Sequence, residues 1–245
     1  AAVGGIIPLF FIRFSSIAKK IEQNLNLREQ WQRSISEIKS GFNYVKRTPG
    51  LLLLLGYVSF TNMLLIPAES LLSLMVFKHF HGTETDMSII GVAFGIGVVT
   101  GGLFLSIWKG FSSRIKTSIS GDLLFGLGVL LVGTSSQDQF PLAVFGWWLA
   151  GIGESLSLAN INALLQAHTR PEMQGRVFSI STSLINLSIP VAMIFSGPVA
   201  QTLGVHVWYI FSGLGILVLS GSMMFIPAIF RFEKDTPVGK LDPSL

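Results

Sequence analysis

Six stretches long and apolar enough to cross a bilayer, near residues 51–77, 87–108, 118–135, 140–167, 177–203 and 206–230, constrain this chain more than any other feature. A helical crossing of a hydrocarbon core about 30 Å thick takes about 17–25 residues, which each stretch supplies. In that medium every backbone N–H and C=O must be satisfied within the protein, which leaves helices or a closed barrel. None of the six alternates with the period of two that a barrel strand requires, so all are expected to be helices. Composition agrees, because 50% of the 245 residues are hydrophobic and 12% are charged, about half of the roughly 25% charge that covers a soluble domain. The expected class is an all-α polytopic membrane protein. With no cysteine in the chain, disulfides, thiolate metal sites and cysteine nucleophiles are excluded.

A seventh apolar piece, residues 1–14, is too short to span and has neither the basic start nor the cleavage site of a signal peptide. It reads as the end of a preceding transmembrane helix, and the chain as a C-terminal portion of something larger. Residues 15–50 form a polar connector in which Trp31, Ile35, Ile38, Phe42 and Val45 recur at helical spacing, the pattern of an amphipathic helix at a membrane surface or against the bundle. The six-helix bundle is placed at 51–230 and a tail at 231–245. If the connector is cytoplasmic, sixteen of the 17 lysines and arginines fall on the inner side and only Lys78 lies in an outer loop. That asymmetry sets the orientation, with connector and tail inside. It also accounts for the net charge of +4 by topology, so no nucleic-acid partner is implied.

Polar residues inside the spans are the candidate functional groups. Ser59, Asn62, Glu69 and Ser73 in the first span are spaced to share one helix face. A carboxylate in hydrocarbon costs roughly 2.5–3.5 kcal/mol on insertion scales, so Glu69 is expected to face protein or a water-filled cavity. Pro67 weakens the helix beside it, and two readings stay open: a substrate-lining bend, or a static kink with Glu69 paired near the outer surface. In the fourth span Glu154 lies mid-helix after Gly146, Gly151 and Gly153, with Ser157 on its face and no basic residue at its depth in any span. Desolvation favours the neutral acid there, as a group that loads and releases a proton requires, while packing by a protonated carboxyl is the alternative. Asn162 and Gln166 read as interhelical hydrogen-bonding groups. Ser179, Ser183, Asn186 and Pro190 form a polar face on the fifth span. Gly91, Gly95, Gly97, Gly101 and Gly102 give the second span two close-packing spacings. Asp122 is expected to face Arg114 or Lys116 across the short inner loop, and His79 and His81 read as an exposed outer-loop pair.

No phosphate loop, nucleophile elbow, metal-binding HExxH helix or dinucleotide fingerprint occurs in the chain. Neither an enzyme nor a cofactor is implied, and the energy for any work must come from an ion gradient or another chain.

Three segments carry a family resemblance. Ser36 to Gly50 (SEIKSGFNYVKRTPG) running into Leu51, then Ser106–Ile107–Trp108–Lys109–Gly110–Phe111 with Arg114, and Gln166, Pro171, Glu172 and Gly175–Arg176–Val177–Phe178–Ser179 resemble major facilitator superfamily efflux proteins of the macrolide-exporter type. A second glycine often stands in that family where Lys109 stands here. The resemblance implies a C-terminal bundle comprising helices seven to twelve of a twelve-helix transporter, with the connector joining the halves. It also implies that the inner loops holding Gly110, Arg114, Gly175 and Arg176 act as latches in one access state.

The resulting expectation is the C-terminal half of an exporter in a bacterial cytoplasmic membrane, using the proton gradient to expel amphiphilic, macrolide-like small molecules. Its partners are the substrate, membrane lipid and an N-terminal six-helix half. Glu154, then Glu69, are the expected proton-coupling groups. Asn62, Ser59, Ser73, Ser157, Asn186 and Ser183 are the expected cavity contacts. A siderophore exporter, an importer or lysolipid flippase of the same fold, and a non-transporting scaffold are the alternatives. The orientation predicts that, in otherwise cysteine-free full-length protein, a membrane-impermeant maleimide added to intact cells labels Ser136→Cys, and labels Ser112→Cys only after lysis.

Overall fold

The computed structural model describes residues 39–234. A helical segment at 39–47 precedes six long helices: α1 (Pro49–Ser70), α2 (Glu84–Trp108), α3 (Arg114–Thr134), α4 (Phe140–His168), α5 (Pro171–Thr202) and α6 (Val205–Met223), followed by a short α7 (Pro227–Lys234). Each of the six is long and apolar enough to span a membrane. The expected piece at 1–14 and the connector up to residue 38 lie outside the described residues, as does the tail beyond Lys234.

Local chemistry sets the helix ends, and it moves several of them from where hydropathy placed them. Proline suits the first turn of a helix, and it disfavours helical backbone in the residue before it. Pro49 therefore opens α1 and separates it from the segment at 39–47, whose Val45 is buried and Phe42 exposed. The first span was expected to run to 77. Instead α1 stops at Ser70, three residues after Pro67, and the chain continues through a short turn (Leu72–Leu74) and a π-helical turn (Met75–His79). Helix α2 starts three residues before its expected boundary because Thr83 and Asp86 form a reciprocal capping box, with Thr83 N–H donating to Asp86 Oδ2 at 2.7 Å. Hydropathy does not register a polar cap. Helix α2 ends where Lys109 and Gly110 take positive φ of 63° and 77°. At the C-terminal end, the apolar run to 230 divides into α6, ending at Met223, and the separate α7, which buries Ile229 and Phe232.

Packing is organised around α3, the most enclosed span, whereas α2 and α5 are the least enclosed and carry apolar residues on their exposed faces. Helix α4 packs against α2 and α3, α6 packs against α3, and α1 lies against α5 and α6. Two apolar clusters divide the bundle. One holds Met75, Val76, Ile90, Trp147, Trp208 and Tyr209. The other, toward the basic end, holds Leu51, Leu55, Leu164, Leu165, Ile229 and Phe232. Tyr209 donates to the Ala68 carbonyl at 2.5 Å and Ser212 to the Leu64 carbonyl at 2.8 Å, so α6 braces α1 on either side of Pro67.

Of the two glycine spacings on α2, only Gly97 and Gly101 meet a neighbour. A Cβ on Gly97 would lie 2.1 Å from the Trp148 carbonyl oxygen, whereas Gly91 and Gly95 face open space. Gly97→Ala is therefore expected to lower the thermal stability of the detergent-purified full-length protein by about 1–3 kcal/mol, with Gly91→Ala nearly neutral, as read by intrinsic-fluorescence melting.

Candidate transport cavity

Between the two apolar clusters lies a polar layer that the helices build jointly. From α1, Tyr57 projects into the interior, where its hydroxyl donates to Asp122 Oδ2 of α3 and lies 2.9 Å from Ser220 Oγ of α6. One turn back on α3, Ser118 Oγ is 3.0 Å from Ser157 Oγ of α4. Four helices are thereby joined through side chains in a region that is otherwise apolar. Asp122 is only 6% exposed. Its expected pairing with Arg114 or Lys116 does not form, because the helix turns the carboxyl inward while those cations remain at the basic end of α3. Arg114 instead donates from its guanidinium to the Ala163 carbonyl at 3.3 Å.

Beside this layer is a cavity of about 150 Å³ lined by Tyr57, Thr61 and Asn62 of α1, Asp122 of α3, Glu154, Ser157 and Asn162 of α4, and Ser181 and Ile185 of α5, among others. Three sequence-derived candidates, Glu154, Asn62 and Ser157, are brought together here. Asn62 also donates to the Val58 carbonyl at 2.8 Å, which leaves its amide oxygen and its second N–H for another partner. Asn162, read from the sequence as an interhelical hydrogen-bonding group, also lines the cavity.

The remaining candidates lie elsewhere. Glu69 is exposed near the far end of α1 and does not line the cavity, although its charge is within electrostatic range of Glu154. Ser59 donates to the Leu55 carbonyl at 2.8 Å, and Ser73 is exposed beyond the end of α1, so the expected stripe does not run along a single helix. Ser183 and Asn186 are exposed on α5; Ser181 and Ile185, one helical turn apart on a different face, line the cavity. His79 is not a free loop residue: its Nε2 is 2.9 Å from the Ser135 carbonyl oxygen, and its ring stacks on His206. Among the described residues, no group of three or more His, Cys, Asp or Glu side chains is placed to hold a metal ion.

At the basic end, the expected latch residues occupy two turns. Gly110 makes the turn from α2 to α3, and the Thr117 hydroxyl oxygen accepts the Phe111 N–H at 2.9 Å just after it. Glu233 of α7 reaches the start of α3, where its carboxylate accepts from both the Ser113 hydroxyl and the Arg114 N–H. An anion there satisfies orphan donors and opposes the positive end of the helix dipole. Glu233 was assigned to a tail, and no local pattern marked it as a cap because its target is distant in sequence. In the other turn, Gly175 is exposed, and the side chain of Arg176 packs against Gly41.

Six long apolar helices around a polar interior suit a transporter, and comparison with known proteins decides the family. The family model for the Major Facilitator Superfamily matches residues 50–244. The chain belongs to the major facilitator superfamily. It is therefore a transporter-family protein of the membrane and not an enzyme. Among its relatives are macrolide efflux protein A of Streptococcus pyogenes, 27% identical over 186 residues (76% of this chain and 46% of the relative), and that of Enterococcus faecalis, 26% identical over 159 residues (65% and 49%). The multidrug efflux pump Tap of Mycolicibacterium fortuitum is 24% identical over 199 residues (81% and 48%). The chain thus spans about half the length of the curated relatives it matches, and the resemblance drawn from its three inner segments agrees with the family found. Replacing the cap, Glu233→Ala, is expected to destabilise the start of α3 by about 1 kcal/mol, seen as faster hydrogen exchange of the 113–117 amides in the full-length protein.

Proposed function

We propose that this chain is the C-terminal half of a proton-coupled exporter of amphiphilic small molecules, macrolide-like drugs among them, in a bacterial cytoplasmic membrane. The observation that carries the reading is the grouping of Glu154, Asn62 and Ser157 around one cavity inside an apolar bundle, in a chain related to macrolide and multidrug efflux proteins. An ionisable group at that depth is costly and suits reversible protonation. Glu154 is the principal coupling residue, with Glu69, in electrostatic range of it, the second. Asn62 and Ser157 orient cargo or water in the cavity, while apolar walls give broad recognition. Ser59, Ser73, Ser183 and Asn186 contribute to the substrate path completed by an N-terminal half.

Alternating access proceeds by rocking of the two halves. The turns containing Gly110 with Arg114, and Gly175 with Arg176, latch the cytoplasmic side in one state, with connector and tail in the cytoplasm. The test is efflux of a macrolide and dye panel from cells expressing the full-length protein. Glu154→Gln is expected to abolish the gradient-dependent part at unchanged abundance. Efflux unaltered by that substitution removes Glu154 from coupling, and net accumulation of cargo would favour an importer.

A further inference from the structure

We propose that Asp122 is a further proton-carrying group, in exchange with Glu154 through the cavity that both line, and that Tyr57 is the positioning residue that couples its protonation to α1. This inference rests on the proton-coupled exporter reading and deepens it.

Position is the first argument. Asp122 sits in α3, the most enclosed helix, and is buried to within 6%. Among the described residues, the groups facing it contain no cation: Tyr57 from α1, Ser157 from α4, and Ser220 of α6 through Tyr57, with Ser118 on its own helix joined to Ser157. Lys116 and Arg114 stand toward the basic end of α3. A lasting carboxylate charge would therefore be held by hydroxyl groups alone, and packing of α3 would be served equally by a neutral residue.

Access is the second argument. A residue buried only for packing has no route for protons, but Asp122 and Glu154 line the same cavity of about 150 Å³, with Thr61 and Asn62 as further polar walls. A polar space of that size has room for water. A proton leaving Glu154 passes to water there, and a proton from that water reaches Asp122. The transfer conserves the charge of the pair, which changes by one only when the pair exchanges a proton with the medium.

Mechanical linkage is the third. The Tyr57 hydroxyl bridges Asp122 and Ser220, so the bond joining α1 to α3 is charge-assisted when Asp122 is ionised and weaker when it is neutral. Helix α1 also contains the Pro67 interruption, and the same helix lines the cavity. Proton occupancy at Asp122 thus changes how firmly α1 is held to the enclosed core.

The experiment uses the full-length transporter in proteoliposomes with a radiolabelled macrolide, comparing wild type, Asp122→Asn and Tyr57→Phe. Asp122→Asn is expected to lose pH-gradient-driven transport while retaining substrate exchange at zero gradient, a step that needs no net proton movement. Gradient-driven transport retained by Asp122→Asn overturns the proposal. A wild-type protein that moves no macrolide under a gradient sinks the exporter reading and the transport role with it. Should Asp122→Asn fail to fold, infrared difference spectra of the purified protein decide the matter. A pH-titrating carboxyl band that shifts in Tyr57→Phe and persists in Glu154→Gln supports the assignment, whereas no titrating band responding to Tyr57→Phe overturns it.

Discussion

In hydrocarbon a polar group without a partner costs several kcal/mol, and the architecture of this chain follows from that constraint. It makes the spans helical, and it decides which polar side chains enter the interior and whom they meet there. The contact between the Tyr57 hydroxyl and the Asp122 carboxyl is its sharpest expression. Asp122 can occupy the most enclosed helix because a neighbouring span supplies the donor, and Tyr57 can occupy an apolar layer because Asp122 and Ser220 satisfy its hydroxyl. Tyr209 and Ser212 act in the same way at the Pro67 interruption, donating to carbonyls of α1 from α6.

Close backbone approach supplies the rest. Without a hydrophobic driving force between helices in lipid, packing depends on small residues that let backbones meet. Gly97 against Trp148, Gly151 against Phe94 and Gly153 against Gly121 bring α2, α3 and α4 together. Those contacts place Glu154, the residue after Gly153, on a helix held tightly on two sides.

The spans were legible because hydropathy is a property of a segment, and the medium enforces one backbone solution for it. Their ends were less so. The α2 start depends on a polar cap between Thr83 and Asp86, the early end of α1 falls just beyond Pro67, and the separate α7 follows from burial of Ile229 and Phe232 against the bundle. None of these registers as average hydrophobicity. Within the candidate site, Glu154, Asn62 and Ser157 were recognisable as polar groups at membrane depth. Asp122 was noticed and given the wrong neighbours, since proximity in sequence to Arg114 and Lys116 favoured an ion pair that the inward turn of α3 prevents. Glu233 could not be linked to the start of α3, because a long-range cap has no local spacing to mark it.

By itself the sequence determined the class, the number of spans and their expected direction, because length, apolarity and the placement of lysine and arginine act independently of how helices pack. Its three inner segments were also enough to suggest the family. Only the tertiary structure decided which polar residues share a cavity, why Ser183 and Asn186 lie outside it while Ser181 lines it, and that Asp122 belongs to Tyr57. Rotation of each helix about its axis depends on contacts with every neighbour at once, and a shift of one residue turns a side chain by about 100°.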